Sequence, residues 1–532
     1  MSIMNSDSDS TILPALLPRI SLDVLPQSSL PAWGPLLMLA VLKIVAHSFT
    51  HPAYGYFRDE LYYLDCANHL DWGYVDHPPL SIAILAGCKA LLGTSLWSIR
   101  LAAAFVGGAT VFLSGLLAWR LGGGRFAQFL TALTVLIAPV FLGVGSFYSM
   151  NVFDQLFWVG AIYFVVRAIT TENPRYWLWF GVIVGFGLQN KVSVGFLGLG
   201  VIVGLLLTRH RRFFATKELW LGGLIALLIF LPHLIWQYRN GYPTSEFIEN
   251  ATRFKIAKKS FGEFAAGQLV EMHPANAAIW MIGTFYGLFA RAGAFRILSI
   301  GFLTVFALLG FKGMKVYYLS PAFPAVLALG ALAIERWTRN RRWVRPLLGM
   351  VLLALGVAVA PLALPIVSPD SYQKYNQALG LSVPTEEVGH RGTAISQHLA
   401  DRLGWQEMVD VVAKAYHDLD LKDRGRCAIL CGNYGEAGAI NFFGAACGLP
   451  NAITGHNNHF LWGPRGADGS VMLVYSRASQ RARLEALFES VAEVGRFEHP
   501  LVVPNQNHRI LYSCRGLKKP MDAFWKSLKT FI

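Results

Sequence analysis

Residues 51–80, HPAYGYFRDELYYLDCANHLDWGYVDHPPL, gather Asp59, Glu60, Asp65, Asp71 and Asp76 with Arg58, His69 and His77 into one aromatic-rich segment. An apolar run long enough to span a bilayer comes directly before it. Carboxylates at such a boundary are costly to place and usually serve chemistry. Asp59 and Glu60 sit just past the apolar run, where a carboxylate can act as general base toward a hydroxyl. A solvated loop acid is the plainer reading, but Tyr54, Tyr56, Phe57, Tyr62 and Tyr63 argue for partial burial. Asp76 and His77 stand before Pro78 and Pro79, which fix φ and bias His77 toward an extended backbone. Asp76 could orient a substrate, meet Asp59 through a metal, or be the base itself; a turn that merely redirects the chain is the alternative. An Asp–His pair admits a divalent ion, although no spacing here is specific to one.

A second set of candidates lies farther along. Asp154, in SFYSMNVFDQLFW, is flanked by Asn151 and Gln155 at the end of an apolar run, where an acid needs a partner or a cavity. A helix N-terminal carboxylate favoured by the dipole is the competing reading. Lys191 in GLQNKVS, Lys312 and Lys315 in FKGMKVYYLSP, and Arg253, Lys255, Lys258 and Lys259 in a long loop are natural partners for phosphate. Near lipid head groups that phosphate would be a lipid's; general snorkelling is the alternative. Toward the C-terminus, GNYGEAGAINFFG (432–444) reads as strand, turn and helix without a dinucleotide fingerprint. TGHNNHFLWGP (454–464) could close over a sugar or be an ordinary packed loop.

The elements that must position these residues follow from composition. The 532 residues are 54% hydrophobic and 15% charged, against about 25% charged in soluble domains, so the chain reads as a polytopic membrane protein. The net charge of +14 comes from short basic clusters between apolar runs, as in cytoplasmic loops, and nucleic acid is not expected as a partner. About eleven spans are expected, near 32–50, 98–119, 126–143, 150–168, 176–189, 193–208, 219–237, 276–290, 296–311, 316–334 and 346–366. Residues 79–93 are too short to cross easily and read as an interfacial helix. Basic loops, among them Arg291 with Arg296 and the run ERWTRNRRWVR, put the N-terminus inside and place 51–80, 238–275 and the C-terminal part outside. The domain reading is a disordered cytoplasmic tail over 1–31, a membrane domain over 32–366, and a soluble, periplasmic α/β domain over 367–532. Within the last, 427–432, 471–476 and 509–514 read as strands and 395–419 and 477–494 as helices. Six scattered cysteines make no disulfide framework.

The segment YFRDELYYLDCANHLDWGYVDHPPL resembles the first outer loop of bacterial polytopic glycosyltransferases related to protein O-mannosyltransferases, a family that includes lipid A aminoarabinose and core galacturonic acid transferases. SMNVFDQLFW, GLQNKVS, PHLIWQYRNGYPT, KVYYLSPAFPAVLALGA and NYGEAGAINFFG with GLPNAITGHNNHFLWGP fall in the order of that family's recurrent segments. The resemblance implies the mostly α GT-C membrane fold followed by a C-terminal α/β domain. It implies a bacterial inner-membrane enzyme that moves a sugar from a polyprenyl-phosphate carrier to a lipid or protein acceptor with inversion. It implies Asp59 and Asp76 as catalytic acids, Asp154 at its equivalent span, and Lys191 facing the carrier phosphate. Arg58, Glu60, Tyr62, His77, Lys312 and Lys315 complete the expected substrate-binding set, a divalent metal being the one cofactor left open. Where the aminoarabinose transferases carry Glu followed by Lys, this chain has Asp76 and His77. Two rival readings are a transporter or flippase, which would set its acids near the midplane within repeats, and a non-catalytic assembly subunit indifferent to the 51–80 carboxylates.

Overall fold

The computed structural model describes residues 30–289, 293–383 and 386–532. The tail expected over 1–31, but for Leu30 and Pro31, and Arg291 lie outside the described residues. A helix stands in each of the eleven intervals expected to span. They begin with α1 (Trp33–Ser48); α2 (Arg58–Asn68) and α3 (Leu80–Leu92) follow in the first loop, before α4 (Leu96–Arg120), α5 (Arg125–Ile137), α6 (Pro139–Gly145) and α7 (Met150–Thr170). Next come α8 (Tyr176–Asn190), α9 (Val194–Leu206), α10 (Lys217–Arg239), α11 (Pro243–Asn250) and α12 (Phe261–Glu271), then α13 (Pro274–Phe289), α14 (Gly293–Phe311), α15 (Phe323–Trp337) and α16 (Val344–Ala363). Among the described residues six helices are long and apolar enough to cross a bilayer, or eight if each of two bent pairs counts as one span. One of those pairs, α5 with α6, bends by 60°. Its cause is local: Pro139 disfavours helical backbone at Ala138, which is extended at φ −66° and ψ 125°, and then serves as the first residue of the next helix.

Lipid offers no hydrophobic drive for helices to associate, so small residues at the crossings matter. Gly283 on α13 and Gly330 on α15 each meet the other helix's backbone so closely that a Cβ would overlap the Val326 and Ile279 carbonyls. α10 and α16 stay at the rim, with only 22% of their most apolar window buried.

Beyond α16 the chain forms short helices α17 (Pro369–Ala378), α18 (Gln397–Ala400), α19 (Trp405–His417) and α20 (Leu421–Arg424). Then follow β1 (Cys427–Leu430), α21 (Tyr434–Phe443), α22 (Asn458–Trp462), β2 (Val471–Arg477), α23 (Arg481–Leu487), β3 (Phe488–Phe497), β4 (Arg509–Leu517) and α24 (Met521–Ser527). The sheet runs β1-β2-β4-β3, with β1 and β2 parallel and the other pairs antiparallel. The three expected strands are present. The helix expected over 477–494 ends at Leu487, and β3 takes the rest. Phe488, Val491, Val494 and Phe497 favour a pleated strand, and Gly495 sits at a register shift against β4. The helix expected over 395–419 is broken at Gly404, which has φ +78°. All six cysteines are free.

Candidate active site around Asp59 and Asp76

The first turn of α2 is fixed before any substrate is considered. Glu60 is fully buried, and its carboxylate takes a two-point grip from Arg100 on α4, Nε to Oε1 at 2.8 Å and Nη2 to Oε2 at 2.7 Å. The same carboxylate accepts the Phe57 N–H at 2.8 Å and the Tyr148 N–H at 2.7 Å. Burial alone would raise this carboxyl; Arg100, Arg402 and the Tyr148 amide outweigh burial and hold it below the usual carboxylate range. Glu60 therefore anchors α2, each of its carboxylate oxygens accepting two hydrogen bonds. The reason is its direction: one residue on from Asp59, it faces α4 and not the cleft.

Asp59 faces the other way. Its side chain is 28% exposed, so solvent and ligand can reach it. Tyr434 of α21 donates its hydroxyl to Asp59 Oδ1 at 3.0 Å. The Tyr434 ring lies against that of Tyr62, centroids 4.6 Å apart, and Tyr62 donates its hydroxyl to Asp76 Oδ1 at 2.9 Å. Two packed tyrosines thus bridge the two acids. α2 and α21 approach closely because Gly438 has no side chain: a Cβ there would stand 2.8 Å from the Leu61 carbonyl carbon and 3.0 Å from the Tyr62 nitrogen. Asp76 is held by its neighbours. The Val75 N–H donates to Asn458 Oδ1 at 2.6 Å, and the Tyr74 N–H to the His77 carbonyl at 3.0 Å. His77 is buried among the Tyr62, Tyr63 and Tyr74 rings, with Nε2 3.9 Å from Asp76 Oδ1. Among the described residues no three His, Cys, Asp or Glu side chains converge so as to hold a metal, and Asp76 with His77 supplies only two such groups.

The cations divide into groups. Arg58 lies 3.6 Å from Asp59, 3.7 Å from Glu387 and 3.8 Å from Asp401. Lys315 reaches Glu387 at 2.7 Å, which ties it to the Arg58 cluster. Lys191 Nζ donates to Asn151 Oδ1 at 2.8 Å, lies 3.7 Å from Asp154, and stands 4.9 Å over the Tyr318 ring. Asp154 also accepts the Ser193 hydroxyl at 2.9 Å. Lys191 and Asp154 are thus partners, joined to Lys315 through the Lys315–Tyr318 turn, whose N–H···O bond is 3.2 Å. Lys312 is exposed at the end of α14 and belongs to none of these groups.

Two site residues, Tyr434 and Glu387, escaped the expected set, and Lys255 stood in it only as one of a run of loop cations. Lys255, half-buried on the turn after α11, places Nζ 5.8 Å from the Tyr434 centroid and has no carboxylate within ion-pair distance among the described residues. Its turn is a π-helix, a form frequent at functional sites. Tyr434 is set by His456, whose ring stacks on it at 4.7 Å and whose Nδ1 accepts the Tyr434 N–H at 3.2 Å. Burial, with Lys255 beside it, depresses His456 to about 3, so the imidazole is neutral and Nε2 donates to the Ile532 carbonyl. Glu387 carried no signal in the sequence. Lys255 and Tyr434 did, the first in a basic loop and the second in the segment 432–444.

A family model described as dolichyl-phosphate-mannose-protein mannosyltransferase matches residues 76–236. An undecaprenyl phosphate-alpha-4-amino-4-deoxy-L-arabinose arabinosyl transferase of Pseudomonas fluorescens is 28% identical over 176 residues, 32% of this chain. The matched stretch spans about a quarter (26%) of that relative's length. ArnT from Cupriavidus metallidurans in the apo state superposes with TM-score 0.61 at 16% identity, over 90% of this chain and 97% of that one. The same protein bound to undecaprenyl phosphate gives 0.60 at 14%, over 91% and 98%. The chain is a multi-pass membrane protein with the fold of these ArnT structures.

Proposed function

We propose that the chain is a glycosyltransferase that moves a sugar from a polyprenyl-phosphate carrier to a hydroxyl of a cell-envelope acceptor. The observation that carries this reading is the Asp59–Tyr434–Tyr62–Asp76 bridge, which binds two acids 17 residues apart into one unit beside Lys255. Asp59 accepts the acceptor's proton as its oxygen attacks the anomeric carbon. The bond from that carbon to the carrier's phosphate oxygen breaks on the opposite face, which inverts the configuration. The leaving phosphate gains a negative charge, and Lys255, the cation here without a carboxylate partner, receives it. Asp76, through Tyr62, holds the bridge in register. Lys191, with Asp154 and Tyr318, and Lys315 with Arg58 flank this centre.

The eleven helices would all cross the membrane, the shorter ones tilted or locally thinning it. The basic loops favour a cytoplasmic N-terminus, with the 51–80 segment and the sheet domain in the periplasm. The relatives' names suggest undecaprenyl phosphate as carrier and an amino-pentose as sugar, with lipid A or another envelope glycan or protein as acceptor. The test is purified protein in lipid nanodiscs with labelled undecaprenyl-phosphate sugars and lipid A. Transfer that is lost in Asp59→Asn supports the reading. Transfer unchanged in Asp59→Asn, or absent with every donor offered, rejects it.

A further inference from the structure

Asp59 shares its nearest cation with two other acids. Arg58, buried in the first turn of α2, sets Nε 3.6 Å from Asp59 Oδ1, while its Nη2 lies 3.7 Å from Glu387 and 3.8 Å from Asp401. One guanidinium thus divides its charge among three carboxylates. Asp401 is fully buried and fixed in place, its backbone carbonyl accepting the Arg58 N–H at 3.0 Å. Glu387 is 6% exposed and serves two cations from two elements. Oε1 accepts Lys315 Nζ, on the turn after α14, at 2.7 Å, and Oε2 faces Arg58.

The segment that carries Glu387 is stitched to the site on its other flank. Ile256, the residue after Lys255, forms an antiparallel bridge with Glu387. The Ala257 N–H donates to the Glu386 carbonyl at 3.2 Å, and Lys259 meets the Glu386 carboxylate at 3.1 Å. Stability gives little reason for a buried acid between two buried cations, because apolar side chains of the same volume often serve as well. Its place beside Asp59 gives a better one. The titratable groups that face Asp59 are Arg58 and Tyr63 on α2, Tyr434 on α21, Lys255 across the Tyr434 ring, and Asp76 beyond Tyr62. Among the described residues Arg58 is the one cation at ion-pair distance from Asp59.

We propose that Glu387 is a positioning residue for sugar transfer: by engaging Arg58 it keeps that guanidinium from closing fully on Asp59, and so leaves Asp59 basic enough to take the acceptor's proton. The inference rests on the reading of Asp59 as the base given above. A carboxylate closely paired with an arginine stays ionised to lower pH and is a weaker base. With the Glu387 charge gone, Arg58 has one acid fewer to serve and its hold on Asp59 tightens. The same carboxylate keeps Lys315 on the turn that Tyr318 shares.

The test is the pH dependence of transfer by the full chain in nanodiscs, with a labelled undecaprenyl-phosphate sugar. In Glu387→Gln the acidic limb of kcat/KM moves to lower pH by about one unit, the low end of the effect of a nearby opposite charge. The plateau in kcat falls, and KM for the carrier sugar does not rise. Glu387→Asp keeps the charge and holds the limb near its wild-type position. In an Arg58→Gln background Glu387→Gln leaves the limb where Arg58→Gln alone puts it, because the effect runs through Arg58. A loosened fold would lower the rate alike at every pH. Lys315→Met added to Glu387→Gln removes both charges of the buried pair and covers the case in which the single variant misfolds with its lysine stranded; its limb also lies below wild type. A limb unmoved in Glu387→Gln, moved as far in Glu387→Asp, or moved as far in the Arg58→Gln background overturns the inference, while loss of transfer in Asp59→Asn keeps the reading of the base. Wild-type protein that transfers nothing, or Asp59→Asn that transfers normally, overturns both.

Discussion

At the scale of single residues, two aspartates six apart on one helix meet opposite fates. Asp59 is open and accepts the Tyr434 hydroxyl; Asp65 is sealed. Tyr434→Phe removes the hydroxyl that sets Asp59 and nothing else, so kcat should fall about tenfold or more while the unfolding midpoint stays near wild type. Asp65 accepts Asn441 Nδ2 at 2.6 Å and faces His459 at 3.4 Å. Burial, opposed by Asn441 and Arg465, pushes it up to about 7, against about 4 in an unfolded chain. Between those values the folded chain keeps a proton that the unfolded chain has lost, so stability falls as pH rises from about 4 to about 7 and is flat beyond. Asp65→Asn should remove that slope. Its melting midpoint in detergent is expected above wild type at pH 8 and level with it at pH 4. Glu60→Ala, by contrast, strands Arg100 and should cost about 3–5 kcal/mol, read as loss of monodisperse protein on size exclusion. The sequence could nominate Asp59 and Glu60 together but not tell the open acid from the anchor, because that depends on which neighbour each meets.

Among elements, the junction of α2 with α21 decides the site. The spacing that makes each helix is local, yet only α21 was legible, as the helix after a strand; the segment that forms α2 was expected as part of an outer loop. That they touch was not legible either, since the Tyr434–Asp59 bond joins residues 375 apart and nothing in a single chain's periodicity encodes such a contact. Glycine carries the contact in this case. Gly438→Ala would press a methyl group onto the Leu61 carbonyl and force α21 off α2 by a few tenths of an ångström at least. A shift of this kind lengthens the Tyr434–Asp59 bond while leaving both helices intact. The expected outcome is a 10²-fold order loss of transfer with unchanged far-UV dichroism. An exposed glycine such as Gly262, where a Cβ meets nothing within 4 Å, should tolerate alanine without loss. β3 marks the limit of pattern reading: only Phe488 and Phe497 at its ends are buried, and the exposed stretch between them carries Glu489, Glu493 and Val494 in a mix that suits either a helix or an edge strand. Pairing with β4 decides it.

For the whole molecule, composition alone placed the chain in a membrane, because 54% apolar residues in long runs have no other solvent. The length criterion yields six to eight spans and not eleven because helices such as α1, α8 and α13, of 16, 15 and 16 residues, fall short of a straight crossing. Orientation then rests on the basic loops. Arg336, Arg339, Arg341, Arg342 and Arg345 lie in and beside the short α15–α16 connection, where each Lys or Arg biases retention on the cytoplasmic side. The 51–80 segment is an odd number of crossings away from that connection if α5 with α6 is one span and the others in between all cross. A fluorescent-protein fusion after Arg342 should therefore glow, and a phosphatase fusion after Leu379 should be active, each with the reciprocal fusion silent. The bent α5–α6 pair provides the sharper check. Counted as two spans it would put the loops on either side of it in the wrong compartments, so a reporter in the α4–α5 turn at Gly123 should match the one after Arg342. A phosphatase signal at Gly123 would invert the first loop, and with it the side of the membrane that Asp59 faces.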